Sequence, residues 1–259
     1  MDGTYYLPLD GAASNCILKL PIPGFAHTVE NEQFCLELAR KVGLPTVSSF
    51  ILKLGNLQVL RVDRYDREGS DFHPRRLPQE DFCQMSAQLS SVKYERDGGP
   101  SFYDCSNLIK RYSMRPASDL TLLVKWAAFN LCIGNNDAHA KNLSMLRTGK
   151  GLRLAPFYDL LTTTYYGKRL LRQLAMHIGG KKRSFYISHR RWSRFANDIQ
   201  LPEKSVIKIV TEMARNVVDN IDSVASQFAP EYTTTISSQA HHIRQRSQSV
   251  INQILSTRT

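Results

Sequence analysis

The stretch Ile133-Gly-Asn-Asn-Asp137-Ala-His139-Ala-Lys141-Asn142, followed by Phe157-Tyr158-Asp159, decides how this chain is read. Asp137 is followed five positions on by Asn142, and seventeen further by a second carboxylate, Asp159. Each of these residue types suits one part of phosphoryl transfer. A hydroxyl nucleophile needs a carboxylate within hydrogen-bond reach to take its proton, and Asp137 is the candidate. Nucleotide phosphates need Mg²⁺, a hard cation that takes oxygen ligands and keeps some water. Asn142, through its amide oxygen, and Asp159 are the candidate ligands. His139 and Lys141 stand between base and ligand, where they can face the phosphates. Asp and Asn are also common loop residues, so this spacing needs support from the rest of the chain.

The spacing is that of a protein-kinase catalytic loop, and further parts fall upstream in the matching order. Lys19 lies alone in the apolar strand pattern Asn15-Cys-Ile-Leu-Lys19-Leu, which ends at Pro21 and Pro23-Gly24. A lysine there is costly to bury unless its charge is used. In a kinase it contacts the α/β-phosphates of the nucleotide and pairs with a Glu on the next helix. The helical pattern from Glu30 through Val42, stopped by Gly43, offers Glu32 as that partner, with Glu30 as its competitor. Ser48 to Leu54 and Gln58 to Val62 read as strands joined by the turn signal Gly55-Asn56. Strand, helix, strand, strand is the order of a kinase small lobe from its third strand onward. Val62-Asp63-Arg64-Tyr65-Asp66 then stands where a hinge offers backbone groups to adenine. Asp66 is placed to accept from a ribose hydroxyl.

Downstream, Arg67 to Pro78 reads as irregular and the remainder as mainly helical. Leu120 to Ile133 is an apolar helix entering the Asp137 loop. Met145-Leu146 and Leu152 to Leu154 flank Thr148-Gly-Lys-Gly151 as a small hairpin that returns Asp159 beside Asp137. From Glu203 to Phe228, Val206, Ile209, Val210, Met213, Val217, Ile221 and Val224 recur at helical spacing. Ile236, Ala240, Ile243, Ser247, Val250 and Ile254 make a last stripe, expected to dock on the domain because it spans fewer than three heptads.

Composition fits a globular chain: 259 residues, 42% hydrophobic and 22% charged. No apolar run approaches the roughly 20 residues of a bilayer span, and no signal-peptide pattern opens the chain. The five cysteines, Cys16, Cys35, Cys83, Cys105 and Cys132, form no CxxC pair and no zinc spacing. They read as reduced core thiols, and the expected location is the cytoplasm with no membrane partner. Net charge is +11, and fifteen Lys and Arg against six Asp and Glu follow residue 159. A basic C-terminal half, with Lys181-Lys182-Arg183 and Arg190-Arg191, favours an anionic partner such as nucleic acid or an acidic protein.

The chain resembles the HipA family, the serine/threonine kinase toxins of bacterial type II toxin–antitoxin systems. The resemblance is carried by Ile17-Leu-Lys19-Leu-Pro21, Val29-Glu-Asn-Glu32 with Cys35, Val62-Asp-Arg-Tyr-Asp66-Arg67 and Leu77-Pro-Gln-Glu-Asp81 with Cys83-Gln84. Ser90-Ser-Val-Lys-Tyr94-Glu-Arg-Asp-Gly-Gly-Pro100, the Gly134 to Asn142 loop and Pro156-Phe-Tyr-Asp159 complete it. It implies an α+β, protein-kinase-like two-lobed fold. Residues 1–66 would be a truncated small lobe and 67–259 a mainly helical large lobe. It implies Asp137 as catalytic base, Asn142 and Asp159 on Mg²⁺, and Lys19 on the ATP phosphates. Asp63 and Tyr65 would hold adenine through their backbones. It also implies a protein substrate such as an aminoacyl-tRNA synthetase or another translation factor, a helix-turn-helix antitoxin, and DNA contact through the basic half. The chemistry of Ser90 to Pro100 does not follow from its residues, and a structural loop between lobes is expected.

One departure is large. Family members carry strands and a Gly-rich phosphate loop before the Lys strand, whereas eighteen residues precede Lys19 here, with no Gly-x-x-Gly cluster. Lids that exclude water and position the phosphate matter to transfer. A truncated pseudokinase that acts by binding protein or DNA is therefore the alternative reading. A basic DNA-binding module unrelated to kinases is the third, and it leaves the ordered Lys19, Asp137, Asn142 and Asp159 unexplained.

Overall fold

Proline has no N–H to give to a β-ladder, so Pro21 and Pro23 stop the first strand where the sequence says they should. The computed structural model describes residues 5–70, 73–170 and 173–256, and that strand is β1, Cys16–Lys19. Helix α1, Thr28–Lys41, and strands β2, Ser49–Leu54, and β3, Leu57–Asp63, follow in the expected order. They form an antiparallel sheet in the order β1-β3-β2. Lys19 and Ile51 both pair with Leu60, so the three share one sheet face.

The irregular reading of Arg67 to Pro78 is corrected. Strands β4, Arg67–Ser70, and β5, His73–Arg76, pair as a two-stranded hairpin. Pro74 is tolerated because a two-stranded ribbon is all edge. Nor is the chain helical directly from Gln79: β6, Gln79–Asp81, pairs with the distant β7, Ser144–Thr148, which pairs in turn with β8, Gly151–Leu154. Between them lie α2, Phe82–Met85, α3, Phe102–Tyr112, and α4, Pro116–Ile133. The chain ends in α5, His189–Asp198, α6, Glu203–Ala225, and α7, Thr233–Leu255.

The apolar stripes expected in α6 and α7 are buried, from Val206 to Val224 and from Ile236 to Ile254, with Ile209 alone of the α6 set half-buried. The two helices pack on each other and on α4, so the last stripe is docked as read. One contiguous core runs from Val29 on α1 to Ile254 on α7. α1 lies between the small sheet and the long helices, which explains why even its polar run Glu30-Asn31-Glu32-Gln33 is buried. Buried polar groups require partners. Gln33 donates to the Ser49 carbonyl at 3.1 Å, and Asn31 and Glu32 reach the site described next. Among the described residues no helix is long and apolar enough to cross a membrane. All five cysteines are free, and all but Cys16 are buried.

Candidate active site

Helix α4 is apolar on nearly all sides, as suits a helix buried in the core. It stops at Gly134, which takes the left-handed conformation (φ 73°) that ends a helix and reverses the chain. The loop that follows is held by its own amides. Asn135 Nδ2 donates to Asn130 Oδ1 at 2.9 Å, and Asn135 Oδ1 accepts the Asp137 N–H at 3.1 Å. Thr163 Oγ1 accepts the Asn136 N–H at 2.8 Å and donates to the Gly134 carbonyl at 3.0 Å. Asp137 is thus fixed in backbone position by side chains on both flanks. The β7–β8 hairpin returns the chain to Phe157, whose N–H donates to the Pro45 carbonyl at 2.8 Å. Asp159 follows in a left-handed conformation (φ 59°), which Asp tolerates better than most residues.

Four sequence-predicted residues converge. Lys19 Nζ lies 2.5 Å from Glu32 Oε1 and 3.1 Å from Asp159 Oδ1. Asn142 Nδ2 donates to Asp159 Oδ2 at 2.5 Å, while its Oδ1 accepts the His139 N–H at 3.0 Å. Glu30 instead faces His27 at 3.3 Å, so the structure selects Glu32 as the lysine's partner. Lys19, Glu32, Asp137 and Asp159 line one cavity of about 600 Å³, together with Leu60 and Tyr94.

The electrostatics favour charge on Lys19 and Asp159. Burial works against the Lys19 ammonium, but the Glu32 and Asp159 carboxylates outweigh it and hold its pKa well above that of free lysine. Burial raises the Glu32 carboxyl to about 7 although Lys19 pulls it down. Burial also pushes Asp159 up. There Lys19, His139 and the Asn142 amide win, and Asp159 stays below the usual carboxylate value. The Asp159 side chain is deep in the fold yet 39% exposed, because its tip opens into the cavity. One ammonium faces two carboxylates, with Asp137 across the cavity. Hard oxygen donors with excess negative charge suit a divalent cation that completes its shell with phosphate and water. Asp159 offers such a donor, and Asn142 would add its amide oxygen, now on the His139 N–H, once the amide is reversed.

The other predicted residues sit around this centre and do not line the cavity. Asp63 ends β3; its N–H donates to the Ser48 carbonyl at 2.8 Å and its carboxylate pairs with Arg61 at 2.7 Å. Tyr65 stacks on Tyr158, ring centroids 5.8 Å apart, and its hydroxyl donates to Gln79 Oε1 at 2.9 Å. Asp66 is clamped by Arg64 at 2.7 Å and Arg67 at 2.8 Å. His139 is buried, its Nε2 3.9 Å from Asp137 Oδ2, and burial lowers its pKa. The carbonyl of Lys141 accepts the Tyr158 hydroxyl at 2.8 Å.

Two residues escaped the sequence reading. Tyr94 donates its hydroxyl to Asp137 Oδ1 at 2.8 Å, so the segment expected to be a structural loop reaches into the site. Its length and unusual composition were the signal. Asn31, fully buried, pins α1 across the molecule: its Oδ1 accepts the Thr162 N–H at 2.8 Å and its Nδ2 donates to the Thr162 carbonyl at 3.1 Å. A helix so tied keeps Glu32 on Lys19. Asn31→Ala should leave both Thr162 groups buried without partners, at about 1–3 kcal/mol for each such group. Urea unfolding should then show a loss of about 3 kcal/mol. A loss under about 0.5 kcal/mol, the range of an ordinary surface substitution, would mean the pin carries nothing.

Residues 6–221 match the HipA-like C-terminal domain. The chain is 36% identical over 233 residues to Y4mE of Sinorhizobium fredii, which carries a kinase name, covering 90% of this chain and 55% of that protein. It is 30% identical over 231 residues to the serine/threonine-protein kinase toxin HipA of Shewanella oneidensis, covering 84% and 53%. It thus spans about half the length of these relatives. The solved Shewanella HipA, in a complex with HipB and operator DNA, superposes with a TM-score of 0.84 at 27% identity, covering 94% of this chain and 59% of that one. The Helicobacter pylori proinflammatory kinase CtkA shares the fold at a TM-score of 0.66 and 13% identity, covering 92% and 85%. The fold is α+β and kinase-like, and the chain belongs to the HipA-like C-terminal domain family.

Proposed function

We propose that this chain is the catalytic part of an ATP-dependent serine/threonine protein kinase of the HipA toxin type. The observation that carries the proposal is the convergence of Lys19, Glu32 and Asp159 on one cavity, with Asp137 at its wall and Asn142 bonded to Asp159. The acceptor hydroxyl oxygen forms its bond to the γ-phosphorus as the bond from that phosphorus to the β,γ-bridging oxygen breaks. ADP leaves, and the hydroxyl proton passes to the Asp137 carboxylate. Lys19 exchanges its Asp159 contact for the phosphates, and Glu32 keeps it aimed. Asn142 and Asp159 would hold Mg²⁺, which would supply charge neutralisation at the phosphate oxygens. The Asp63 carbonyl and the Tyr65 N–H hold adenine, since the Asp63 N–H already serves the sheet. Asp66, with both oxygens on arginines, shapes the hinge in preference to binding ribose.

In this reading the lobe boundary falls between residues 66 and 67, and the protein acts in the cytoplasm on a translation factor. The HipA–HipB–operator assembly of the Shewanella relative supports an antitoxin partner, which we take to be a helix-turn-helix protein. The basic clusters at Lys181–Arg183 and Arg190-Arg191 supply the surface for acidic or DNA contact.

A second reading, nucleotide binding without turnover, is favoured by one observation. Both Asp159 oxygens are already engaged, one by Lys19 and one by the Asn142 amide nitrogen. Ligand binding separates both kinase-derived readings from the unrelated basic module. Saturating Mg·ATP, at about a hundred times its Kd, should stabilise the chain by about 2.7 kcal/mol. At this size that is a rise in Tm of roughly 5–10 °C. Lys19→Ala should remove most of the rise. No shift in wild type at millimolar Mg·ATP would count against both.

A further inference from the structure

The segment Ser90 to Pro100 is built to present one side chain. The Tyr94 ring lies beneath the Lys93 ammonium, 4.9 Å from the ring centroid, and the Arg96 guanidinium, 5.1 Å away. It meets the His139 ring edge-on at 5.6 Å. Cation–π and edge contacts on several sides leave an aromatic ring little freedom. The backbone beneath is equally constrained. The Gly99 N–H donates to the Tyr94 carbonyl at 2.9 Å, and a Cβ on Gly99 would come within 2.8–2.9 Å of the Val92, Lys93 and Tyr94 backbone. Only glycine closes this turn.

The same segment is tied to the catalytic loop by a closed circuit. The Glu95 N–H donates to the Ala175 carbonyl at 3.0 Å, and the Ala175 N–H donates to the Asn136 carbonyl at 2.9 Å. Asn136 adjoins Asp137, which receives the Tyr94 hydroxyl. Glu95 also accepts the His177 N–H at 2.5 Å and faces His177 Nδ1 at 2.8 Å. The circuit runs from Tyr94 through Ala175 and back to the base.

We infer that Tyr94 is a positioning residue for the base: its hydroxyl fixes Asp137 Oδ1 and leaves Oδ2 free to take the acceptor proton. This deepens, and rests on, the kinase reading. The fixed ring argues against a phenol that swings aside as a gate. Among the described residues, no Lys or Arg pairs with Asp137, and His139 Nε2 stands 3.9 Å from Oδ2, beyond hydrogen-bond reach. A carboxylate misaimed by a fraction of an ångström loses much of its effect on transfer.

Tyr94→Phe keeps the ring and its cations and deletes only the hydroxyl. Phosphate release from Mg·ATP with water as acceptor should fall about 10- to 100-fold in kcat, with the KM for Mg·ATP within about twofold. A structural role alone would not produce that split. A variant as active as wild type, or more active, overturns the inference, the latter because the phenol would then be an obstruction. A second arm needs no nucleotide. With ¹³Cζ-labelled tyrosine, the Tyr94 resonance, identified by its loss in Tyr94→Phe, should ionise at higher pH in wild type than in Asp137→Asn, since a carboxylate disfavours a neighbouring phenolate. Equal ionisation in both overturns the contact itself. If wild type neither binds nor turns over Mg·ATP, the kinase reading fails, and the ionisation arm still decides whether Tyr94 holds Asp137.

Discussion

Asp137→Asn is expected to lower phosphoryl transfer from Mg·ATP by about 10²–10⁴-fold, the range for a positioned general base. The same change should leave the fold in place. The Asp137 side chain is about one-third exposed and forms no ion pair with Lys or Arg among the described residues. An amide oxygen in its place can still accept the Tyr94 hydroxyl. Its backbone is held by Asn135, which the substitution does not touch. Such a site behaves like a surface position, within about 0.5 kcal/mol, which is roughly 1–2 °C in Tm for a chain of this size. Transfer measured on purified wild type and variant, with circular dichroism melts beside it, decides the matter. Turnover within tenfold of wild type would remove Asp137 from the mechanism. A wild type that binds Mg·ATP without turnover would select the second reading.

How much of this site the sequence revealed depends on distance along the chain. The β2–β3 hairpin, the stripes of α6 and α7 and the apolar helix ending at Ile133 were legible because period and turn chemistry are local. Lys19, Glu32, Asp137, Asn142 and Asp159 were legible because their order and spacing follow one chemistry. The choice between Glu30 and Glu32 was not, because both suit the spacing. In the helix they stand about 200° apart, so only one can face Lys19. Tyr94 and Asn31 were hidden for another reason: their partners lie 43 and 131 residues away. The β6 strand was missed likewise, since three residues pair with a strand more than sixty positions on. Asp66 is the opposite case, where the arginines at positions 64 and 67 were adjacent and readable.

Gly134→Ala is expected to destabilise the chain by about 3 kcal/mol, from about 1–2 kcal/mol for a left-handed non-glycine residue and about 1–3 kcal/mol for overpacking. At this length that lowers Tm by roughly 6–12 °C. The added Cβ would overlap Thr164 Oγ1 and Arg246 Nε and lie 2.7 Å from Arg246 Cδ. Neither neighbour can yield freely. Thr164 Oγ1 is bonded to His242 Nε2 at 2.9 Å, which fastens α7 to the segment beside the catalytic loop. Arg246 sits over the Phe185 ring at 5.4 Å with its Nη2 toward the Leu131 carbonyl at 3.5 Å. That carbonyl belongs to the negative end of α4, where a cation is favourable. Room for a methyl group therefore has to come from the contact between α7 and the catalytic loop, so lost stability and lost transfer should go together. Gly55→Ala is the control. Gly55 has the same left-handed backbone (φ 59°) in the β2–β3 turn, but a Cβ there meets nothing within 4 Å. It should show the backbone cost alone, about 1–2 kcal/mol, with transfer unchanged. If the two variants lose equal stability in urea, the packing of α7 against Gly134 contributes nothing, and the tie between the C-terminal helix and the catalytic loop fails with it.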